Sequence, residues 1–254
     1  MPRLFVTLLL ITIAFLLPAC AKNLASNSLV VATPETLPAE GPAVDVSNFR
    51  GSVDIRVKPW RSDIAVSYDV VACSDVQDED AARAAVTVHA QIDTTGERPV
   101  LVVRSGSTRD ADDHHVRINI EMPACSGVRV INRGGEVTIH NTSGAVQVEN
   151  EGAAVEVKTN HPLAAPVALS TSDASIYLRA PRNSDAAVDA HAEGGKVVWE
   201  ATDSTTKLSA FRSTPGKMSV SVNEGGHAVM LRTRAGDIHV SFLENPVGRV
   251  VYFK

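Results

Sequence analysis

The sequence is poor in aromatic residues, in cysteine and in net charge of either sign. Aromatic side chains make up 4% of the 254 residues, which disfavours a core of packed rings, and the abundant valine and alanine favour many short strands. Acidic and basic residues are interspersed, and the formal net charge is −5. The sequence therefore offers no basic face that would neutralise phosphates, and we expect no nucleic-acid partner. The 3 cysteines show no zinc-type spacing.

Long apolar runs are confined to the start of the chain. Arg3 precedes an apolar run from Leu4 to Leu17, which is short for a spanning helix and typical of an export signal. The run ends in Leu17-Pro18-Ala19-Cys20, which resembles a bacterial lipobox. We therefore predict a signal peptide over residues 1–19 and lipidation of Cys20, which would attach the chain to a membrane. The alternative is ordinary secretory cleavage after an alanine, with Cys20 incidental.

Residues 20–42 are rich in Ala, Ser, Pro and Asn and show little periodicity, which predicts a flexible tether. Because no Asp follows Cys20, the lipid-anchored protein is expected in the cell envelope, with the outer membrane favoured. Residues 43–123 are expected to form an N-terminal β-rich region. One short helix is expected at Asp78–Ala85, where an acidic start leads into alanines. The strands are predicted at Val44–Ser47, Val53–Val57, Ile64–Val70, Val86–Ile92, Val100–Val103 and Val116–Ile120.

Residues 124–254 carry a repeat of apolar pairs, with one polar residue inside each pair. Successive pairs are nine residues apart in seven of eleven steps, and eleven or twelve apart in the others. A short strand cannot offset its own ordering entropy, so neighbouring units must stack. This predicts a repetitive, right-handed β-solenoid, with an antiparallel β-sandwich as the alternative. The pairs are Val128/Val130, Val137/Ile139, Val146/Val148, Val155/Val157, Val167/Leu169, Ile176/Leu178, Val188/Ala190, Val197/Trp199, Leu208/Ala210, Val220/Val222, Val229/Leu231 and Ile238/Val240.

Four segments of the chain share a recognisable layout: Phe49-Arg50-Gly51-Ser52-Val53-Asp54-Ile55, Pro59-Trp60 followed by Asp63-Ile64-Ala65-Val66, Met122-Pro123-Ala124, and the glycine-punctuated start of the repeat at Val128–Val137. This layout resembles a bacterial adhesin-like family of β-strand-repeat domains of unknown function. The resemblance covers roughly Val44 to Val240 and implies a fold more strongly than a role. Cys125 stands where that family commonly has glycine.

Two groups of residues are candidates for disulfide or metal chemistry. In an exported protein, Cys73 and Cys125 form a possible disulfide; the alternative is two buried free thiols. Oxygen and nitrogen ligands for a divalent cation are weakly indicated in one loop, although consecutive strand residues point to opposite faces and a solvated hairpin tip explains the loop better. The loop residues are Asp110, Asp112, Asp113, His114 and His115.

No nucleophile and base stand together in the sequence, so we expect no catalytic residues and no cofactor. The nearest set to a catalytic one is better explained as surface charges: Asp173, Arg179, Arg182, Asp185 and Asp189. The leading hypothesis is a non-enzymatic envelope scaffold that binds a protein or a glycan. The alternatives are a carbohydrate-active β-helix enzyme, such as a polysaccharide lyase or hydrolase, whose carboxylates would converge in one groove, and an accessory to envelope stress signalling.

Overall fold

The computed structural model describes residues 22–32, 39–72, 78–109, 114–201 and 206–248. These residues form an all-β fold with one short helix. Asp78 caps that helix by accepting a hydrogen bond from the Ala81 amide at 2.9 Å. The elements are β1 (Lys22–Ala32), β2 (Ala43–Val57), β3 (Ile64–Ala72), α1 (Glu79–Ala84), β4 (Val86–Asp93), β5 (Val100–Ser107), β6 (His114–Met122), β7 (Gly127–His140), β8 (Ala145–Glu151), β9 (Val155–Lys158), β10 (Val167–Thr171), β11 (Ile176–Pro181), β12 (Ala186–Ala192), β13 (Val197–Ala201), β14 (Leu208–Thr214), β15 (Lys217–Val222), β16 (His227–Thr233) and β17 (Ile238–Leu243).

The strands pair into two ladders, which we call sheet A and sheet B. Sheet A runs β4–β5–β2–β7–β8–β10–β16–β12–β15–β14, and sheet B runs β1–β3–β6–β2–β7–β9–β11–β17–β13. The first halves of β2 and β7 belong to sheet A and their second halves to sheet B, with register shifts near Gly51 where the two strands bend together. The central strands pair in parallel, and antiparallel strands flank both ends of sheet A and one end of sheet B.

The inward side chains of the two sheets form one core of valine, isoleucine and leucine. Alternation along most of the central strands buries one residue of every two, as in β8, where Val146 and Val148 are buried and Gln147 is exposed. Strands that are neighbours along the chain and strands that are distant along it contribute side chains to the same core. At one end of sheet B, Trp199 packs on Phe242 with ring centroids 5.4 Å apart.

The turns between the sheets define two long corners. At corner 1 the chain passes from sheet A to sheet B; it comprises residues 48–52, 132–136, 151–154, 172–175, 193–196 and 234–237. At corner 2 the sheet B strands end; it comprises residues 58–63, 123–126, 141–144, 159–166 and 182–185.

The strand order corrects the expectation of a regular solenoid. In sheet A, β16 lies between β10 and β12, and β2 lies between β5 and β7, so the strands do not stack in chain order throughout. The arrangement is an open, sandwich-like pair of sheets. Equally spaced valine pairs fit against any neighbouring strand of the same pattern, so their period does not determine the order of stacking.

Two further local expectations are wrong. Within the predicted tether, Lys22–Ala32 forms β1, which pairs antiparallel with β3 because the edge of β3 offers unpaired backbone groups. Leu208 and Ala210 lie in β14 at the edge of sheet A, and both are exposed although the repeat predicted them to be buried.

Candidate binding site

Trp60 is the most exposed large hydrophobic side chain among the described residues. It lies at corner 2, in the turn between β2 and β3, and 80% of its surface is accessible. The turn is closed by a hydrogen bond from the Arg61 amide to the Lys58 carbonyl at 2.9 Å. The Lys58 amide in turn donates to the Met122 carbonyl at 2.8 Å, which attaches the turn to the end of β6. These hydrogen bonds fix the backbone of the turn that carries the indole.

An ion-pair network braces the same turn from the side of sheet B. The Glu121 carboxylate accepts hydrogen bonds from Lys58 Nζ and from Arg61 Nη1, the latter at 2.6 Å. Arg61 Nη2 also lies 2.8 Å from the Asp63 carboxylate. The hydrogen bond from Lys58, followed by the positive charges of Lys58 and Arg61, lowers the pKa of Glu121 below its usual value. Glu121 is therefore ionised at neutral pH and bridges the two cations.

A cleft of about 640 Å³ opens at corner 2 beside the Trp60 turn. Its walls combine small apolar side chains with polar groups. An exposed indole beside a mixed cleft offers both apolar contact and hydrogen bonding, the combination typical of recognition surfaces for proteins and sugars. Among the residues that line it are Val57, Pro59, Pro123, Ala124, Glu40, Arg98 and His161.

Cys125 lies in the wall of this cleft as a buried free thiol that donates to the Gly127 carbonyl at 3.2 Å. Burial raises its pKa, so the thiol stays protonated and unreactive. Cys73 lies outside the described residues. The Cys73–Cys125 disulfide therefore stays a prediction.

Of the predicted metal ligands, His114 and His115 lie within the described residues, and they do not face the same side of the sheet. Asp110, Asp112 and Asp113 lie outside the described residues. His114 is buried, with its Nε2 2.7 Å from Ser107 Oγ, whereas His115 points to the other face of β6. Burial, followed by the charge of Arg117, lowers the pKa of His115. In the described part of the chain, no group of three or more His, Cys, Asp or Glu side chains is arranged to hold a metal ion.

The carboxylates of the candidate catalytic set do not converge. Asp173, Asp185 and Asp189 line three different clefts. Asp173 pairs with Arg234 at 3.0 Å, and Asp189 pairs with Arg232 at 2.9 Å. The single groove that a carbohydrate-active enzyme would need from these residues is therefore not formed.

The two arginines of that set also lie apart from one another. Arg179 is on the outer face of sheet B, in register with Lys158 of β9. Arg182 is at corner 2, 3.5 Å from the Glu244 carboxylate. Three members of the set, Asp173, Arg182 and Asp189, are thus in surface ion pairs with residues outside the set.

Cys20, the predicted lipidation site, lies outside the described residues. Across the described segments, no helix has the length and hydropathy needed to cross a membrane.

Comparison with known proteins gives the fold. No family model and no curated protein matches the chain. Its structure is similar to that of a putative cell adhesion protein from Clostridium sporogenes, with a TM-score of 0.58 and 10% identity, covering 87% of this chain and 100% of that one. The likeness shows the fold alone. A putative adhesin from Bacteroides fragilis matches with a TM-score of 0.34 and 9% identity, covering 86% and 96% of the two chains, and at that score we base no argument on it.

Trp60 is not among the site residues predicted from the sequence, although it lies in one of the segments that carry the family resemblance. A signal was present: Trp60 follows a proline and precedes an arginine between two predicted strands, in a chain with only 2 tryptophans. A large aromatic residue in such a turn has no core face to occupy, which indicates exposure.

Proposed function

We propose that the chain is a non-enzymatic lipoprotein of the bacterial cell envelope whose β-sheet body binds an envelope protein or glycan. Cys20 carries the lipid in this proposal, and the outer membrane is the favoured location. The adhesion-related name of the Clostridium sporogenes structure is compatible with such a role.

The observation that carries the proposal is the exposed Trp60 on its braced turn beside the cleft. Exposing an indole to water is unfavourable, so a protein gains nothing in stability by fixing one at 80% exposure. Buried aromatic anchors at the centre of an interface contribute much of its binding energy. A preformed turn also reduces the ordering entropy lost on binding.

Binding by the full chain tests the proposal. The wild type and Trp60→Ala would be compared for capture of envelope proteins, identified by mass spectrometry, and for binding to an array of bacterial envelope glycans. Phe211→Ala is the matched control, because Phe211 is an aromatic residue with 51% exposure outside the site. We expect Trp60→Ala to weaken binding at least tenfold and Phe211→Ala to leave it unchanged. Equal binding by both variants, or no partner in either assay, would refute the proposal.

A further inference from the structure

We infer that the corner 1 end of β1 and α1 rests at the surface of the lipid bilayer, and that the Trp60 turn faces away from it. The inference rests on the proposed lipid anchor at Cys20. It identifies a second interaction surface, whose partner is the bilayer itself.

The first step is the length of chain between the anchor and the sheet. Lys22 begins β1 and comes two residues after Cys20, so their Cα atoms are at most about 7.6 Å apart. Lys22 pairs with Ala72, the last residue of β3. An acylated Cys20 would therefore hold this end of sheet B against the headgroups, with no length left for a tether.

The second step is the direction of the neighbouring strands. β3 runs from Ile64 at corner 2 to Ala72 at corner 1, which spans about 27 Å at the rise of an antiparallel strand. Trp60 precedes Ile64 and so lies beyond the far end of β3. The helix α1 packs beside β1 and β3, at the anchored end. One end of these strands is therefore next to the bilayer, and the candidate binding site is at the other.

Charge does not produce this orientation. The exposed surface of α1 carries Glu79 and Asp80 beside Arg83, which gives anionic lipids no attraction. The short connection alone enforces proximity, so the orientation should be the same in high and low salt.

The test measures the depth of two labelled positions in membranes. Full-length, acylated protein in a Cys73→Ser background would carry a fluorescent label at Asp80→Cys or at Ser62→Cys, and would be reconstituted in phosphatidylcholine vesicles with a headgroup quencher. Both positions are exposed, Asp80 on α1 with 90% of its side chain accessible and Ser62 next to the Trp60 turn. We expect quenching at position 80 to be at least threefold stronger than at position 62, and insensitive to salt.

The possible failures are distinguishable. If the labelled proteins float with the vesicles but both positions are quenched equally, the body is not oriented and the inference is overturned. If neither protein floats, or if Cys20→Ser floats as well as the wild type, the lipid anchor itself is refuted. Circular dichroism of each labelled protein would verify that it folds like the wild type.

Discussion

At the scale of single residues, a ladder of asparagines links neighbouring strands inside corner 1. Asn48 Nδ2 donates to Asn132 Oδ1 at 2.9 Å, and Asn132 Nδ2 donates to Asn150 Oδ1 at 2.9 Å. All three residues are buried. The side-chain amides thus hydrogen-bond to one another at the point where the strands bend. The backbone hydrogen-bond ladder is irregular there, as it is after Asn48.

Replacing the middle asparagine should be costly. Asn132→Ala leaves a buried donor on Asn48 and a buried acceptor on Asn150 without that partner, and we expect a loss of about 3 kcal/mol in the free energy of unfolding. Urea denaturation followed by circular dichroism measures it. The control is Gln147→Ala on an exposed position of β8, expected to change stability by less than about 0.5 kcal/mol. Equal effects of the two substitutions would contradict a stabilising ladder.

The turn that holds Trp60 should respond to acid. The folded-state pKa of Glu121 lies below the ordinary value of about 4.5 for a glutamate, so its ionised form stabilises the fold above that pH, and this contribution is lost as the pH falls through the folded value. We expect the stability difference between wild type and Glu121→Gln to be present at pH 7 and to shrink below about pH 4.5. Unfolding curves across this range measure it. Glu136→Gln, at an exposed position, is the control; a difference independent of pH would contradict the prediction.

Residue patterns predicted much of the burial correctly. The alternation in β7 to β11 placed every valine pair on the dry side, since strand geometry alone requires it. It failed at Leu208 and Ala210, because whether a strand lies at an edge depends on distant segments. The Trp60 site was not predicted, since its cleft forms only when the end of β2, the loop before β5 and the turns on either side of β7 meet at corner 2.

At the scale of elements, β1 pairs with β3 alone among the described strands and so lies at the edge of sheet B. Residues 23–31 contain no charge and no proline, and Val30 is 66% exposed. Unprotected edges of this kind pair with other chains. The β4 edge, by contrast, carries His89 and Asp93.

A charge on β1 should reduce self-association. In the Cys20→Ser protein, we expect Val30→Lys to lower the fraction of dimer at least threefold in sedimentation velocity, because a lysine disfavours pairing of two edges. Thr87→Lys on β4 adds the same charge at the other sheet's edge and should have little effect. Similar decreases in both variants would point to net charge instead of the β1 edge.

The existence of the strands could be predicted from the sequence, whereas their order could not. The six segments expected as strands between Val44 and Ile120 all lie in strands, with the first two joined in the single strand β2, and α1 lies within the predicted helix at Asp78–Ala85. The β1 strand was missed because Leu29, Val30 and Val31 are its only run of large apolar residues. The alternation of apolar and polar residues indicates which face of a strand is buried. The alternation does not indicate the partner strand, because strand pairing depends on how the whole core assembles.

At the scale of the whole molecule, both ends of the stack are assembled out of chain order. Near the start, β2 is enclosed by β5 and β7; near the end, β16 is enclosed by β10 and β12. In the described sheet A, the first parallel strand along the chain, β2, and the last, β16, therefore each have a partner strand on both sides. The antiparallel strand β4 then lies at one end of sheet A, and the antiparallel strands β15 and β14 lie at the other.

Cross-linking of sheet A tests this arrangement most directly. Ala168 of β10, Met230 of β16 and Asp189 of β12 lie side by side in one row, with Met230 in the middle. In the Cys73→Ser background, Ala168→Cys with Met230→Cys should form a disulfide under mild oxidation. Ala168→Cys with Asp189→Cys should not, because their strands are about 9.6 Å apart. Efficient bonding of the second pair and none of the first would show that the strands stack in chain order, and would contradict this account.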